Sequence, residues 1–264
     1  MWAPVALVLA VSATADPRPP LFERRFRELA AGYEACFVLY DARQDRTLRV
    51  NDAECRRRLP PCSTFKVFNS LAGLQSGVVQ DQATLFKWDH TPQPIPAWEQ
   101  DHTLATAVRE SVVWYFQRVA AGVGEKAMQG YLDAVGYGNR DMTGGLTRFW
   151  LGSSLKISPD EQVAFLRRPY LGDLPFDRRS VEIVKKILVQ EERDGVVFSG
   201  KTGSCDAGGG KRVGWFVGRQ ASPTADYIFA TRIVGVDRNL PRGQGPDGLH
   251  AREISRAMLG ALPR

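Results

Sequence analysis

Histidine is scarce in this chain of 264 residues: only His90, His102 and His250 occur, and their spacing does not resemble a zinc ligand set, so no metal site is expected and the three read as surface or loop residues. The glycine-rich loop with Lys and Ser/Thr that cradles phosphates is missing, as is any dinucleotide fingerprint. Concentrated basic charge is missing too. The net charge of +6 rests on scattered arginines, with short clusters at Arg24-Arg25 and Arg56-Arg57-Arg58. Nucleic acid binding wants a basic stripe with aromatic platforms, so nucleic acid is set aside as a partner and the arginines read as solvated faces. A mildly basic surface still helps to collect anionic substrates.

Long apolar runs are also absent, which excludes a membrane anchor. The short run over residues 5–11 precedes Ala13-Thr14-Ala15, a fit to a small-residue cleavage site, although no Lys or Arg comes before it. A signal peptide over residues 1–15 and a periplasmic or secreted protein are therefore expected. Four cysteines, Cys36, Cys55, Cys62 and Cys205, are few enough to be either bridged or free. An oxidising compartment permits a bridge, and the near neighbours Cys55 and Cys62 are the favoured pair; four partly buried thiols are the alternative.

What is present is an ordinary globular composition, 44% hydrophobic and 24% charged, on a chain long enough for one large domain or two interleaved ones. Residues 33–50 read as a hairpin and 63–76 as an apolar, central helix stopped by Gly77. Helical periodicity follows over 104–121, 125–135, 159–167 and 179–191, with Pro92, Pro94 and Pro96 marking a loop before them. Strands return over 196–199, 212–219 and 227–236, Gly208-Gly209-Gly210 makes a turn, and a last helix covers about 249–262. Strands at both ends with helices between them imply an α/β domain from residues 16–77 and 192–264, interrupted by an all-α domain over 78–191.

Chemistry concentrates at Ser63-Thr64-Phe65-Lys66 and Lys201-Thr202-Gly203. Ser and Lys three apart at a helix start share one face, so their side chains meet. A serine hydroxyl needs an adjacent base to act as a nucleophile, and a lysine in apolar surroundings loses its proton and supplies one. Cys62 beside Ser63 reads as packing or bridging rather than as the nucleophile. Further along stand Ser111-Val112-Val113, Tyr137-Gly138-Asn139 and Phe149-Trp150-Leu151. Five motifs in this order and spacing are specific where a lone Ser-x-x-Lys is not.

With these motifs the chain, from about residue 22 to 262, closely resembles the class D (OXA-type) serine β-lactamases. The resemblance implies the penicillin-recognising serine hydrolase fold, an antiparallel sheet flanked by helices with an inserted helical domain. It also implies hydrolysis of a small-molecule β-lactam through an acyl-enzyme on Ser63, with no cofactor except carbon dioxide held covalently as N6-carboxylysine at Lys66. Only a neutral amine takes up carbon dioxide, and an exposed lysine titrates at about 10.4, so burial is required. By the same resemblance Trp150 holds the carbamate, and Val113 and Leu151 shield it. Ser111 relays a proton, and Lys201 supplies positive charge. Thr202 and Gly203 line the substrate edge, and Arg252 takes the substrate carboxylate. The oxyanion hole falls on the backbone N–H groups of Ser63 and Ser204, while Tyr137 and Asn139 shape the site. A Ser-Asp-Asn motif with a deacylating glutamate is absent, which sets aside the related glutamate-dependent class. Two alternatives acylate without efficient turnover: a β-lactam sensor domain, which would carry a membrane region, and a penicillin-binding transpeptidase, which the compact length disfavours. Oligomeric state is left open.

Overall fold

The computed structural model describes residues 18–236 and 240–262; the expected signal peptide lies outside them. The elements in chain order are α1 (Arg18–Leu29), β1 (Glu34–Asp41), β2 (Arg46–Val50), α2 (Asp52–Arg56), α3 (Lys66–Gln75), β3 (Leu85–Phe86), β4 (His102–Thr103), α4 (Leu104–Arg109), α5 (Val113–Val123), α6 (Glu125–Val135), α7 (Pro159–Leu171), α8 (Arg178–Ile187), β5 (Val189–Arg193), β6 (Val196–Gly208), β7 (Lys211–Ala221), β8 (Asp226–Val236) and α9 (Gly248–Leu259). Six strands form one sheet in the order β2-β1-β8-β7-β6-β5, every neighbouring pair antiparallel. The expected antiparallel sheet flanked by helices is what the chain forms.

Strand β1 shows why the sheet lies between two layers. Its middle reads as a continuous apolar run, yet alternate residues serve different cores: Cys36, Val38 and Tyr40 face one cluster and Phe37 and Leu39 the other. A strand covered on both faces needs no polar alternation. Helices α1 and α9 cover the second face through Phe22, Phe26, Ile254 and Met258. Helix α3 lies in the first core and is buried from Lys66 to Leu74. Its polar members find partners inside that core: Asn69 Nδ2 donates to the Phe116 carbonyl at 3.1 Å and Ser70 Oγ to the Lys66 carbonyl at 2.7 Å.

Several boundaries differ from the sequence expectations. The helix expected over 179–191 ends at Ile187, and the chain continues as β5 at the sheet edge. The cause is Asp194-Gly195, both at positive φ (52° and 73°), a two-residue turn that folds β5 onto β6 with Arg193 opposite Val196. The C-terminal run of strands therefore begins at Val189, inside the segment expected to be helical. The helix expected over 104–121 is two helices, broken at Ser111, where φ is +61°. The favoured Cys55–Cys62 bridge does not form: Cys36 bonds Cys55, tying β1 to α2, and Cys62 bonds Cys205, tying the turn before α3 to β6. Closeness in sequence misled here, because α2 and the Pro60-Pro61 segment carry the two cysteines to different neighbours. His102 is buried, not on the surface, between Thr106 Oγ1 at 3.1 Å and the Ala97 carbonyl at 3.0 Å.

Candidate active site

Residues Cys62–Phe65 form a single 3-10 turn that leads into α3. In a 3-10 turn side chains three apart eclipse one another. That geometry brings Lys66 Nζ to 2.7 Å from Ser63 Oγ. The turn is fixed from several sides. The Cys62 N–H donates to the Trp150 carbonyl at 3.1 Å, Gln162 Nε2 donates to Thr64 Oγ1 at 2.8 Å, and Trp215 Nε1 donates to the Pro60 carbonyl at 2.9 Å. Gln162 carries no motif, and only its burial in the fold reveals its part; Trp215 lies in the run Gly214-Trp215-Phe216-Val217-Gly218, which resembles the family, and the fold adds its contact with Pro60.

Lys66 is wholly buried, and this burial, helped by the charge of Lys201, holds its amine well below the ordinary lysine range. Trp150 is equally buried. Its ring stacks on Phe65 at 5.4 Å between centroids, and its indole N–H has no hydrogen-bond partner among the described residues. An orphaned buried donor costs stability unless something answers it. Val113, at the start of α5, and Leu151 are half-buried and line the adjoining cleft.

The break at Ser111 brings its hydroxyl into the cleft, where it accepts a 3.0 Å hydrogen bond from Lys201 Nζ. Lys201 also reaches the Thr202 carbonyl at 3.1 Å and Thr202 Oγ1 at 3.3 Å, and burial lowers its amine to about 7. Strand β5 pairs with β6 only as far as Ser199, so the outer edge of β6 runs free past Thr202, Gly203 and Ser204. A Cβ on Gly203 would fall 2.9 Å from the Pro61 carbonyl and 3.0 Å from the Thr64 nitrogen. Only glycine lets β6 approach the Ser63 turn this closely.

The cleft of about 520 Å³ runs between these walls, with Ser63, Ser111, Val113, Leu151, Thr202 and Ser204 among its lining residues. Ile95 and Trp98 close one rim, and Leu240 and Arg242 lie on the other. Arg252, on α9, lines an adjoining space of about 810 Å³ shared with Ser111, Lys201 and Thr202. Among the described residues its guanidinium pairs with the neighbouring Glu253, at 3.2 Å. Tyr137 and Asn139 do not line the cleft. Tyr137 is buried against Phe65 and Phe68, while Asn139 accepts from the Lys156 N–H at 2.8 Å and donates to the Ser154 carbonyl at 2.9 Å. They hold the loop that carries Trp150.

Among known proteins, a family model described as the penicillin-binding protein transpeptidase domain matches residues 35–258. The chain is 41% identical over 202 residues to a probable β-lactamase, YbxI, of Bacillus subtilis (strain 168), covering 76% of this chain and 74% of that protein. It is 36% identical over 202 residues to the regulatory protein BlaR1 of Bacillus licheniformis, covering 76% of this chain but 33% of BlaR1. The solved structure of the class D β-lactamase BAT-2 superposes with a TM-score of 0.81 at 38% identity, over 89% of this chain and 94% of that one.

Proposed function

The chain belongs to the class D β-lactamases and is a serine β-lactamase, and we propose that it opens its substrates through an acyl-enzyme on Ser63, with N-carboxylated Lys66 as the general base for acylation and deacylation. The observation that carries this reading is the 2.7 Å contact between Ser63 Oγ and a wholly buried amine held far below its usual range.

Ser63 Oγ attacks the lactam carbonyl and gives up its proton toward Lys66. The developing oxyanion lies against the N–H groups of Ser63 and Ser204, donors of the kind whose removal costs about 3 kcal/mol each. As the C–N bond breaks, the leaving nitrogen takes a proton along Ser111 and Lys201, which are already hydrogen-bonded at 3.0 Å. A water then attacks the ester, and Ser63 leaves as the restored hydroxyl. Thr202 and Gly203 present the free edge of β6 to the substrate, and Arg252 takes its carboxylate, a task suited to a forked guanidinium.

The residues present fit a carbamate on Lys66. Burial favours the neutral amine, the form that reacts with carbon dioxide, and the orphaned Trp150 indole, stacked on Phe65 next to Lys66 in sequence, is a buried donor in search of an acceptor. When bound, that group supplies a carboxylate base, held by Trp150 Nε1 and Ser63 Oγ. Val113 and Leu151 limit the access of water.

Export fits the two disulfides, which form in oxidising compartments. Among the described residues no helix is long and apolar enough to cross a membrane. The likeness to BlaR1 sustains a second reading, a β-lactam sensor that acylates and stops. Turnover of a chromogenic cephalosporin decides between them. Sustained hydrolysis is expected, and a burst that ends at one equivalent per chain would replace the enzyme reading with the sensor.

A further inference from the structure

Two cysteines that the catalytic reading leaves unused flank the two residues it assigns to the oxyanion hole. Cys62 directly precedes Ser63 and Cys205 directly follows Ser204, and they are bonded to each other, with Cα atoms 5.7 Å apart. Among the described residues no hydrogen bond joins the Cys62–Phe65 turn to β6, although the two backbones touch at Gly203. The disulfide is the direct bond across that gap. Ser204 is otherwise held from its own side, by its place opposite Gly214 on β7 and by the Gly248 N–H, which donates to its Oγ at 2.8 Å. The turn is held from the other side, through Trp150 and Gln162. Cys62 also sits at φ +52°, a left-handed backbone that a non-glycine residue rarely takes unless its surroundings impose it.

We propose that the Cys62–Cys205 disulfide is a positioning device that fixes the spacing of the Ser63 and Ser204 N–H groups, so that the rate of acyl transfer depends on its oxidation state. The inference rests on the oxyanion-hole assignment above. Oxyanion donors act only when aimed at the place where charge develops, and misplacement by an ångström is enough to lose much of their effect. Cys205 is partly exposed on β6 while Cys62 is wholly buried, so a small dithiol approaches from the β6 side. Reduction transfers two electrons and two protons from the dithiol. The S–S bond opens to two thiols, and the dithiol closes to its own cyclic disulfide.

The other bridge, Cys36–Cys55, supplies the control, since it ties β1 to α2 and contributes nothing to the cleft lining. The experiment compares oxidised native protein, dithiothreitol-treated native protein, a Cys62→Ser/Cys205→Ser variant and a Cys36→Ser/Cys55→Ser variant. For each, competent sites are counted from the mass of the penicillin adduct, and cephalosporin turnover is expressed per competent site. Treated protein and the Cys62/Cys205 variant are expected to lose at least tenfold in turnover per site, with KM changed less than threefold. The Cys36/Cys55 variant is expected to lose stability while its per-site turnover stays within twofold of native. Turnover per site within twofold in the Cys62/Cys205 variant would overturn the proposal. Unfolding of both the treated protein and that variant would overturn it as well, because the bond would then hold the fold rather than the site. Failure of the oxidised native protein to acylate at all is a different result and strikes the parent reading.

Discussion

The two walls of the cleft each bury an amine against a serine hydroxyl, but they bury it differently. On the α3 side Lys66 has Ser63 Oγ as its hydrogen-bond partner among the described residues, lies over the Phe116 ring, and shares its core with an unanswered indole N–H. On the sheet side Lys201 has three partners, Ser111 Oγ, the Thr202 carbonyl and Thr202 Oγ1, and its cleft is open to substrate. Desolvation lowers both amines, and the charge of Lys201 lowers Lys66 further. Lys66 is thus pushed strongly toward its neutral form, whereas Lys201, at about 7, is poised between its two states. The pairing separates a base from a proton and charge carrier by environment rather than by residue type.

Removing the base breaks the comparison most severely. Lys66→Ala should lower steady-state turnover by about 10⁴-fold, roughly 5 kcal/mol, and slow both acylation and deacylation. Stopped-flow acylation read beside steady-state hydrolysis checks both halves, and unchanged turnover would remove the mechanism. Next in size is the energetic cost carried by the other wall. Unfolded, Lys201 titrates at about 10.4; folded, it titrates at about 7. Between those values the unfolded chain binds a proton that the folded chain does not, so stability rises with pH across the window and is fully penalised below it. Lys201→Met should therefore be more stable than the native chain by roughly 4 kcal/mol at pH 7, with the gap closing to under about 1 kcal/mol by pH 10, while its turnover falls. Guanidinium unfolding at three pH values tests this, and a gap that does not depend on pH would show that Lys201 is not desolvated as described.

A smaller effect sharpens the picture of the dry wall. Trp150→Phe keeps a ring on Phe65 and removes the orphaned donor. Turnover should fall about 10- to 100-fold, the worth of a hydrogen bond to a charged group. Added bicarbonate should restore part of the loss in this variant and none in Lys66→Ala. If bicarbonate has no effect on Trp150→Phe at low or neutral pH, the indole answers something other than a carbamate.

Much of this was legible before any coordinates. The hairpin of β1 and β2, the buried α3 and the return to strands near the C-terminus all follow from periodicity, and the Ser63–Lys66 contact follows from spacing alone. What stayed hidden depended on distant parts of the chain. Ser111 lies within a helical pattern, and nothing local marks the left-handed break that turns its hydroxyl toward Lys201, 90 residues on. Asp194-Gly195 is a turn dipeptide, but the amphipathic run of α8 before it extends the helical pattern across the residues that form β5. Cysteine pairing was the clearest failure, because which thiols meet is decided by sheet order and by the close approach at Gly203, not by separation along the chain.

The mildest perturbation separates substrate binding from chemistry. Arg252 stands on α9, about one-third exposed, with a guanidinium whose partner among the described residues is the adjacent Glu253 at 3.2 Å. Such an exposed pair between neighbouring residues contributes little to stability, so its loss should leave the fold intact. The side chain lines the same space as Ser111, Lys201 and Thr202 but reaches neither Ser63 nor Lys66 by any contact among the described residues. Arg252→Ala should raise KM for a penicillin about tenfold, near 1.4 kcal/mol, and change kcat less than threefold. Arg252→Lys should recover part of KM, since charge returns without the bidentate fork. Equal losses in kcat and kcat/KM would move Arg252 from holding the substrate to stabilising the transition state, and would bring the two walls of the cleft closer in role than their surroundings imply.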